Sequence, residues 1–284
     1  MKNEVFRPPR RTALLGAFCL ATLFAASAVA EESAPRVISL DYCADQYVLG
    51  MVPRSRILGL SPDAEKPFSY FRDRARGLPK VRPRAEDVLL AQPDLIVRSY
   101  GGGPNAAAFF QRAGLEVIQV PFSNDLGAVR ESALFMARSL GVPERGEELV
   151  RDLDARLEEI AARARPSRSA LYMTPSGATT GPGTLVHEML VAAGLENFEE
   201  LPGWRSISLE RLAYEQPDMV AAAFFDSNTT ALWSPMRHPV ARSQTVHRPT
   251  VHLEGAWTAC GAWFLIDAIE AMAAERAESV DLEP

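Results

Sequence analysis

The sequence predicts an α/β protein: two doubly wound βα lobes joined by a single long backbone helix. Three observations predict it. The stretch AEDVLLAQPDLIV, starting at Ala85, returns as LERLAYEQPDMVA, starting at Leu209. In both, a glutamate (Glu86, Glu210) precedes a Pro-Asp pair at the same spacing, with an offset of 124 residues (210 − 86). That offset is far beyond a solenoid period of roughly 20–50 residues and fits a lobe built twice. Second, short apolar runs alternate with helical stretches, the pattern of parallel strands linked by crossover helices. Third, Leu149, Leu153, Leu157, Ile160 and Ala164 form one narrow apolar stripe at steps of three or four. A helix of about 22 residues would span about 33 Å and could lie across both lobes.

The elements follow in order. Residues 36–40 read as a first strand, 44–52 as a short helix and 56–60 as a second strand. The first copy of the repeated phrase gives an amphipathic helix that must stop at Pro93, because proline bars easy helical geometry in the residue before it. Strand 94–98, helix 105–113 and strand 116–120 come next. Ser123 is the expected cap of a helix ending near Gly141. Pro143 starts the long helix. The βα pattern then restarts with strand 169–173, and a helix over 184–193 capped by Thr184. The second phrase leads to strand 218–225; strand 245–253 and a closing helix over 264–274 complete the chain. The predicted bounds are 1–30 for a leader, 31–142 for an N-terminal lobe, 143–166 for the linking helix and 167–284 for a C-terminal lobe.

The leader is read from Lys2, Arg7, Arg10 and Arg11, the apolar run 13–26 and the A-x-A site Ala28-Val29-Ala30. These are the parts of a cleaved secretory signal peptide, too short and wrongly flanked for a membrane span. Cys19 is expected to leave with it. Of the formal charge of −6, the leader carries +3, so the remaining chain of about 254 residues (284 − 30) is at −9 (−6 − 3). That acidity argues against a nucleic-acid partner. Two cysteines remain, Cys43 and Cys260. In an oxidising compartment they can form one disulfide; free thiols or a soft metal site are the alternatives.

Taken together, residues 36–40 (RVISL), the paired E-x6-PD phrases, the long connecting helix, CADQ at 43–46 and WTACG at 257–261 resemble the helical-backbone substrate-binding proteins of ABC importers. This group includes binding proteins for cobalamin, iron–siderophore complexes and haem. The resemblance covers essentially all of the chain after the leader. It implies binding without catalysis, a ligand cleft between the lobes, no intrinsic cofactor, a monomer in the periplasm, and a carried ligand that is an iron–siderophore, a corrinoid or haem. It also implies a membrane partner, the permease dimer with its ATPase in the inner membrane. By position, Glu86 and Glu210 match the acidic residues, one per lobe, that dock onto basic pockets of that permease.

Ligands of parallel α/β sheets bind outside the carboxyl ends of strands. The loops there offer Tyr42, Tyr47, Tyr70, Arg98 and Tyr100 in the first lobe and Thr174, Phe225, Trp257 and Trp263 in the second, with Phe68 nearby. Their aromatic character suits a large, partly apolar ligand. Tyr42, Tyr47 or Tyr100 could serve as an axial ligand to haem iron. A bare-metal carrier would need histidines and carboxylates converging from both lobes, yet His187, His238, His247 and His252 all lie in the second half. Gly101-Gly102-Gly103 lacks the Lys-Ser/Thr ending of a phosphate loop. No G-x-S-x-G is present for a hydrolase, and no spacing pairs Cys43 with a histidine as a nucleophile. A cysteine bridge between Cys43 and Cys260 would span the mouth of the cleft, since both follow strands whose carboxyl ends face it.

Overall fold

Short apolar runs become parallel strands, and each hands over to a helix. The computed structural model describes residues 34–163, 166–225 and 234–281; the leader read at 1–30 lies outside the described residues. Strand β1 (Val37–Ser39) leads into α1 (Tyr42–Met51), capped by the Asp41 carboxylate, which accepts from Ala44 N at 3.0 Å. Next come β2 (Ile57–Gly59), a one-turn α2 (Arg72–Ala75), α3 (Ala85–Leu90), β3 (Leu95–Arg98), α4 (Ala106–Arg112) and β4 (Glu116–Gln119). The helices α5 (Leu126–Ser139) and α6 (Pro143–Ala162) follow. The second half holds β5 (Ser169–Met173), β6 (Ala178–Thr180), α7 (Leu185–Ala192), β7 (Glu196–Asn197), β8 (Trp204–Ser206), α8 (Leu209–Tyr214) and β9 (Met219–Ala223). It ends with α9 (Pro239–His247), β10 (Thr250–Leu253), α10 (Gly255–Thr258) and α11 (Ile266–Asp281).

Two parallel four-stranded sheets result, in the orders β2-β1-β3-β4 and β10-β9-β5-β7. Their central strands are buried apart from a half-buried Ser169, which is why LIVR, SALYM and MVAAA read as continuous runs and not as alternation. The repeated phrase is superimposable by number. Adding 124 to α3 and to the start of β3 gives α8 and the start of β9.

The repeated Pro-Asp has a shared physical task. Asp94 accepts Arg36 N at 2.8 Å, and Asp218 accepts Ser169 N at 2.8 Å. In return Asp94 N donates to Arg36 O, and Asp218 N to Ser169 O, each at 3.0 Å. Each aspartate thus closes the lower end of a parallel pair, β1 with β3 and β5 with β9.

The long helix α6 has Pro143 at its first position, where the missing N–H costs nothing. Its stripe of Leu149, Leu153 and Ile160 is buried against α5 and α11. Arg156 fastens it to α11, donating to Glu270 Oε1 at 2.8 Å and Asp267 Oδ1 at 2.6 Å; Tyr70 from the first lobe donates to the other Asp267 oxygen at 2.6 Å. One continuous apolar core runs from Val37 and Tyr47 of the first lobe to Trp263 and Met272 of the second.

Two expectations are corrected. The cap of α5 is Asp125, whose carboxylate takes Ala128 N at 2.7 Å, while Ser123 bonds Ser132. Residues 245–247 belong to α9, started by Pro239 and capped by His238, so β10 begins only at Thr250. The antiparallel pair β6–β8 and the two-residue β7 were not foreseen, because two or three residues establish no period.

Candidate cleft between the lobes

The first lobe builds its side of the cleft around one buried carboxylate. Besides capping α1, Asp41 accepts Ser99 N at 2.7 Å, Tyr100 N at 3.0 Å, Gly101 N at 2.8 Å and the Ser99 hydroxyl. This draws the loop after β3 onto the start of α1. Gly101 is required there, since a Cβ would collide with the Leu40 carbonyl. Arg98 folds back onto the same loop. Its Nε donates to Gly101 O at 2.8 Å, and its two terminal nitrogens to Gly103 O at 2.9 Å and Gln119 Oε1 at 2.8 Å. The expected ligand cation is therefore a buried loop clamp. The loop sets the exposed Tyr100 ring 6.0 Å from that of Tyr42, and Phe68 packs edge-on against Tyr42 at 5.1 Å.

The second lobe supplies the facing wall. Tyr172 of β5 meets Trp204 of β8 edge-on at 5.9 Å. Val186 of α7, Phe224, Gly255, Thr258 and Ala259 complete it. Phe224 holds φ 64°, which turns its ring toward Gly255, where a Cβ would come within 2.9 Å of that ring. Together with Tyr42, Pro67 and Phe68 these residues enclose about 630 Å³. Five aromatic side chains wall the space, and among the described residues no charged side chain lines it. A larger hollow of about 930 Å³ lies along α6 and α7, but it has no phenyl, phenol or indole ring and touches none of the loops after β1, β3, β5 or β9.

A junction beside the cavity ties both lobes together. Cys43 at the start of α1 is bonded to Cys260 after α10, with the Cα atoms 5.7 Å apart. Tyr42 donates to Ala259 O at 3.0 Å and Tyr47 to Gly261 O at 3.4 Å. Trp263 sits over Gly50, where a Cβ would meet the indole at 2.5 Å.

Of the expected ligand residues, Tyr42 lines the cavity and Tyr100 stands beside it. Tyr47 and Trp263 are buried together in the core at 5.4 Å, so neither reaches the cleft. Tyr70 stacks on Phe264 at 4.4 Å, and Trp257 packs on the same core. Thr174 is buried in its own turn, bonded to Ser176 and to Ala178 N. Phe225 lines a separate hollow with Arg237 and Arg242. Glu86 and Glu210 are exposed in the first turns of α3 and α8. Tyr172, Val186, Trp204 and Phe224 were missed. Tyr172 reads as strand core, and nothing local marks a positive φ at Phe224.

Electrostatics separate the phenols from the buried carboxyl beneath them. Burial, with the carboxylates of Asp41 and Asp63 adding to it, pushes the Tyr42 hydroxyl above the ordinary phenol range, and burial does the same at Tyr100. Burial also pushes Asp45 up to about 6, against the opposing pull of hydrogen bonds from Ser39 and Ser61. Among the described residues no three histidine, cysteine or acidic side chains converge to hold a metal.

No curated protein sequence matches this chain. Solved structures do. A periplasmic heme-binding protein, RhuT from Roseiflexus sp. RS-1 in apo form, is 20% identical over 87% of this chain and 99% of its own, with a TM-score of 0.67. The periplasmic vitamin B12 binding protein BtuF of Vibrio cholerae is 18% identical over 86% and 97%, with a TM-score of 0.62. The periplasmic heme binding protein HutB of Vibrio cholerae is 16% identical over 88% and 99%, with a TM-score of 0.65. Among the described residues no helix is long and apolar enough to cross a membrane. The family model for periplasmic binding proteins matches residues 62–239, and with two sheets flanking an aromatic cleft the chain belongs to the periplasmic binding protein family, a family of substrate carriers and not of enzymes.

Proposed function

We propose that this protein captures a corrinoid in the periplasm and delivers it to the permease dimer of an ABC importer, working as a monomer after loss of residues 1–30. The observation that carries the ligand is the wall of Tyr42, Phe68, Tyr172, Trp204 and Phe224 with no charged side chain among the described residues. A flat, amide-fringed macrocycle suits such a wall, because aromatic faces bury its ring system without requiring counter-ions. A ferric siderophore carrying negative charge would want cleft cations, and Arg98 is already committed to its own loop. Haem is the second reading, favoured by the phenolic oxygens of Tyr42 and Tyr100. Burial opposes ionisation of both, so a tyrosinate ligand would have to be created by the iron itself. Glu86 and Glu210, exposed and duplicated, support docking to a partner that is itself twofold.

Titration of the mature protein with cyanocobalamin, haemin and a ferric siderophore, followed by tryptophan fluorescence, tests the ligand. Cyanocobalamin should bind one to one, and Trp204→Ala should weaken it roughly tenfold or more, the worth of an exposed aromatic side chain that the ligand covers. Tight binding of haemin or the siderophore without binding of cyanocobalamin would overturn the corrinoid assignment.

A further inference from the structure

We infer that docking to the permease rests on two apolar contacts as well as two charges: Leu90 and Tyr214, one turn beyond Glu86 and Glu210, form with them a duplicated pair of carboxylate and apolar knob. The inference rests on the docking reading above and adds to it what the partner must present.

Leu90 is 83% exposed and Tyr214 is 85% exposed. Each is the last residue of its helix, and each stands four residues after its glutamate. That spacing puts both side chains on one helix face, about 6 Å apart along the axis. The buried anchors Val88 and Leu212 hold the two helices in the same orientation. A lone exposed leucine needs no explanation. Two large apolar side chains at equivalent places in two lobes do, because positions around them have diverged: Asp87 corresponds to Arg211, Leu89 to Ala213, Ala91 to Glu215. Within the two helices, what the copies keep toward solvent is the carboxylate and a large apolar knob. Among the described residues neither glutamate has an ion-pair partner within the chain. Other exposed apolar side chains do not share the pairing. Phe122 follows β4, whereas Val246 lies in α9 ahead of β10. The matching surface is a twofold partner whose two sockets each place an apolar shelf beside a cation.

Docking of the full mature chain to its permease–ATPase complex in lipid nanodiscs tests this, with cyanocobalamin affinity measured alongside to report the fold. The double variant L90S/Y214S should dock roughly tenfold or more weakly, since two exposed apolar side chains lose their burial. Tyr214→Phe should dock like the parent, and Val246→Ser should change nothing. If L90S/Y214S docks within twofold of the parent while E86R/E210R fails to dock, the apolar contacts are refuted and the charge docking stands. If E86R/E210R docks like the parent, the docking reading falls, and the inference falls with it.

Discussion

Asp94 and Asp218 close their strand pairs in the same way, but the upper ends of β1 and β5 contrast. In the shared register Val37 corresponds to Ala170, so Ser39 corresponds to Tyr172 and Asp41 to Thr174. In the first lobe Ser39 bonds the buried Asp45 and Asp41 gathers a whole loop; in the second, Tyr172 walls the cavity and Thr174 satisfies only its own turn. The lower ends of the sheets are duplicated because both must start a parallel pair. The upper ends differ because one lobe builds a rigid polar base and the other an apolar wall.

The largest break in that comparison should come at the junction that belongs to both lobes. The disulfide joins residues 217 apart in sequence. The variant C43S/C260S should lose about 5 kcal/mol of unfolding free energy, the chain-entropy value for so long a loop. Urea denaturation of the double variant measures it; an unchanged midpoint would mean that Tyr42, Tyr47 and Trp263 suffice to hold the junction.

Asp41 and Thr174 test the contrast directly. Asp41→Ala strands several buried N–H groups and should cost about 4 kcal/mol, whereas Thr174→Ala should cost about 1 kcal/mol. Equal losses would erase the difference drawn between the two lobes.

Asp45 sharpens it through pH. Its folded value near 6 lies above the ordinary carboxyl value of 3.8, so the folded state holds the proton more tightly than the unfolded chain does. Its contribution is full below the unfolded value and fades as pH rises toward 6, a change of roughly 3 kcal/mol. Asp94 and Glu270 are held below their ordinary values by partners and act in the opposite sense, losing stability as pH falls. The difference between the parent and Asp45→Asn, measured from about pH 4 to 7, isolates the first effect. A flat difference would show that Asp45 ionises freely in the fold.

The smallest effect concerns the duplicated clamps. Asp94→Asn and Asp218→Asn should each cost about 1 kcal/mol, and by similar amounts, because each exposed carboxylate holds one strand start. A strong inequality in thermal denaturation would mean that the two copies have parted in function as well as in sequence.

The sequence by itself determined the alternation of strands and helices in both halves, the long helix, the helix stops at Pro93 and Pro217 and the outward place of Glu86 and Glu210. Each of these depends on neighbours within a few residues: a period, a proline, a polar position on an amphipathic turn. The tertiary structure alone decided which aromatic side chains face the cleft. Tyr47 and Trp263 look like rim residues until Gly50 admits the indole into the core, and Arg98 looks like a ligand cation until the loop after β3 takes two of its nitrogens and Gln119 of β4 the third. Tyr172 and Trp204 look like strand interior and loop until β6 pairs with β8 and brings the indole over the phenol. The direction of a side chain at a strand's end is set by packing partners tens to hundreds of residues away, and no local pattern in the chain carries that information.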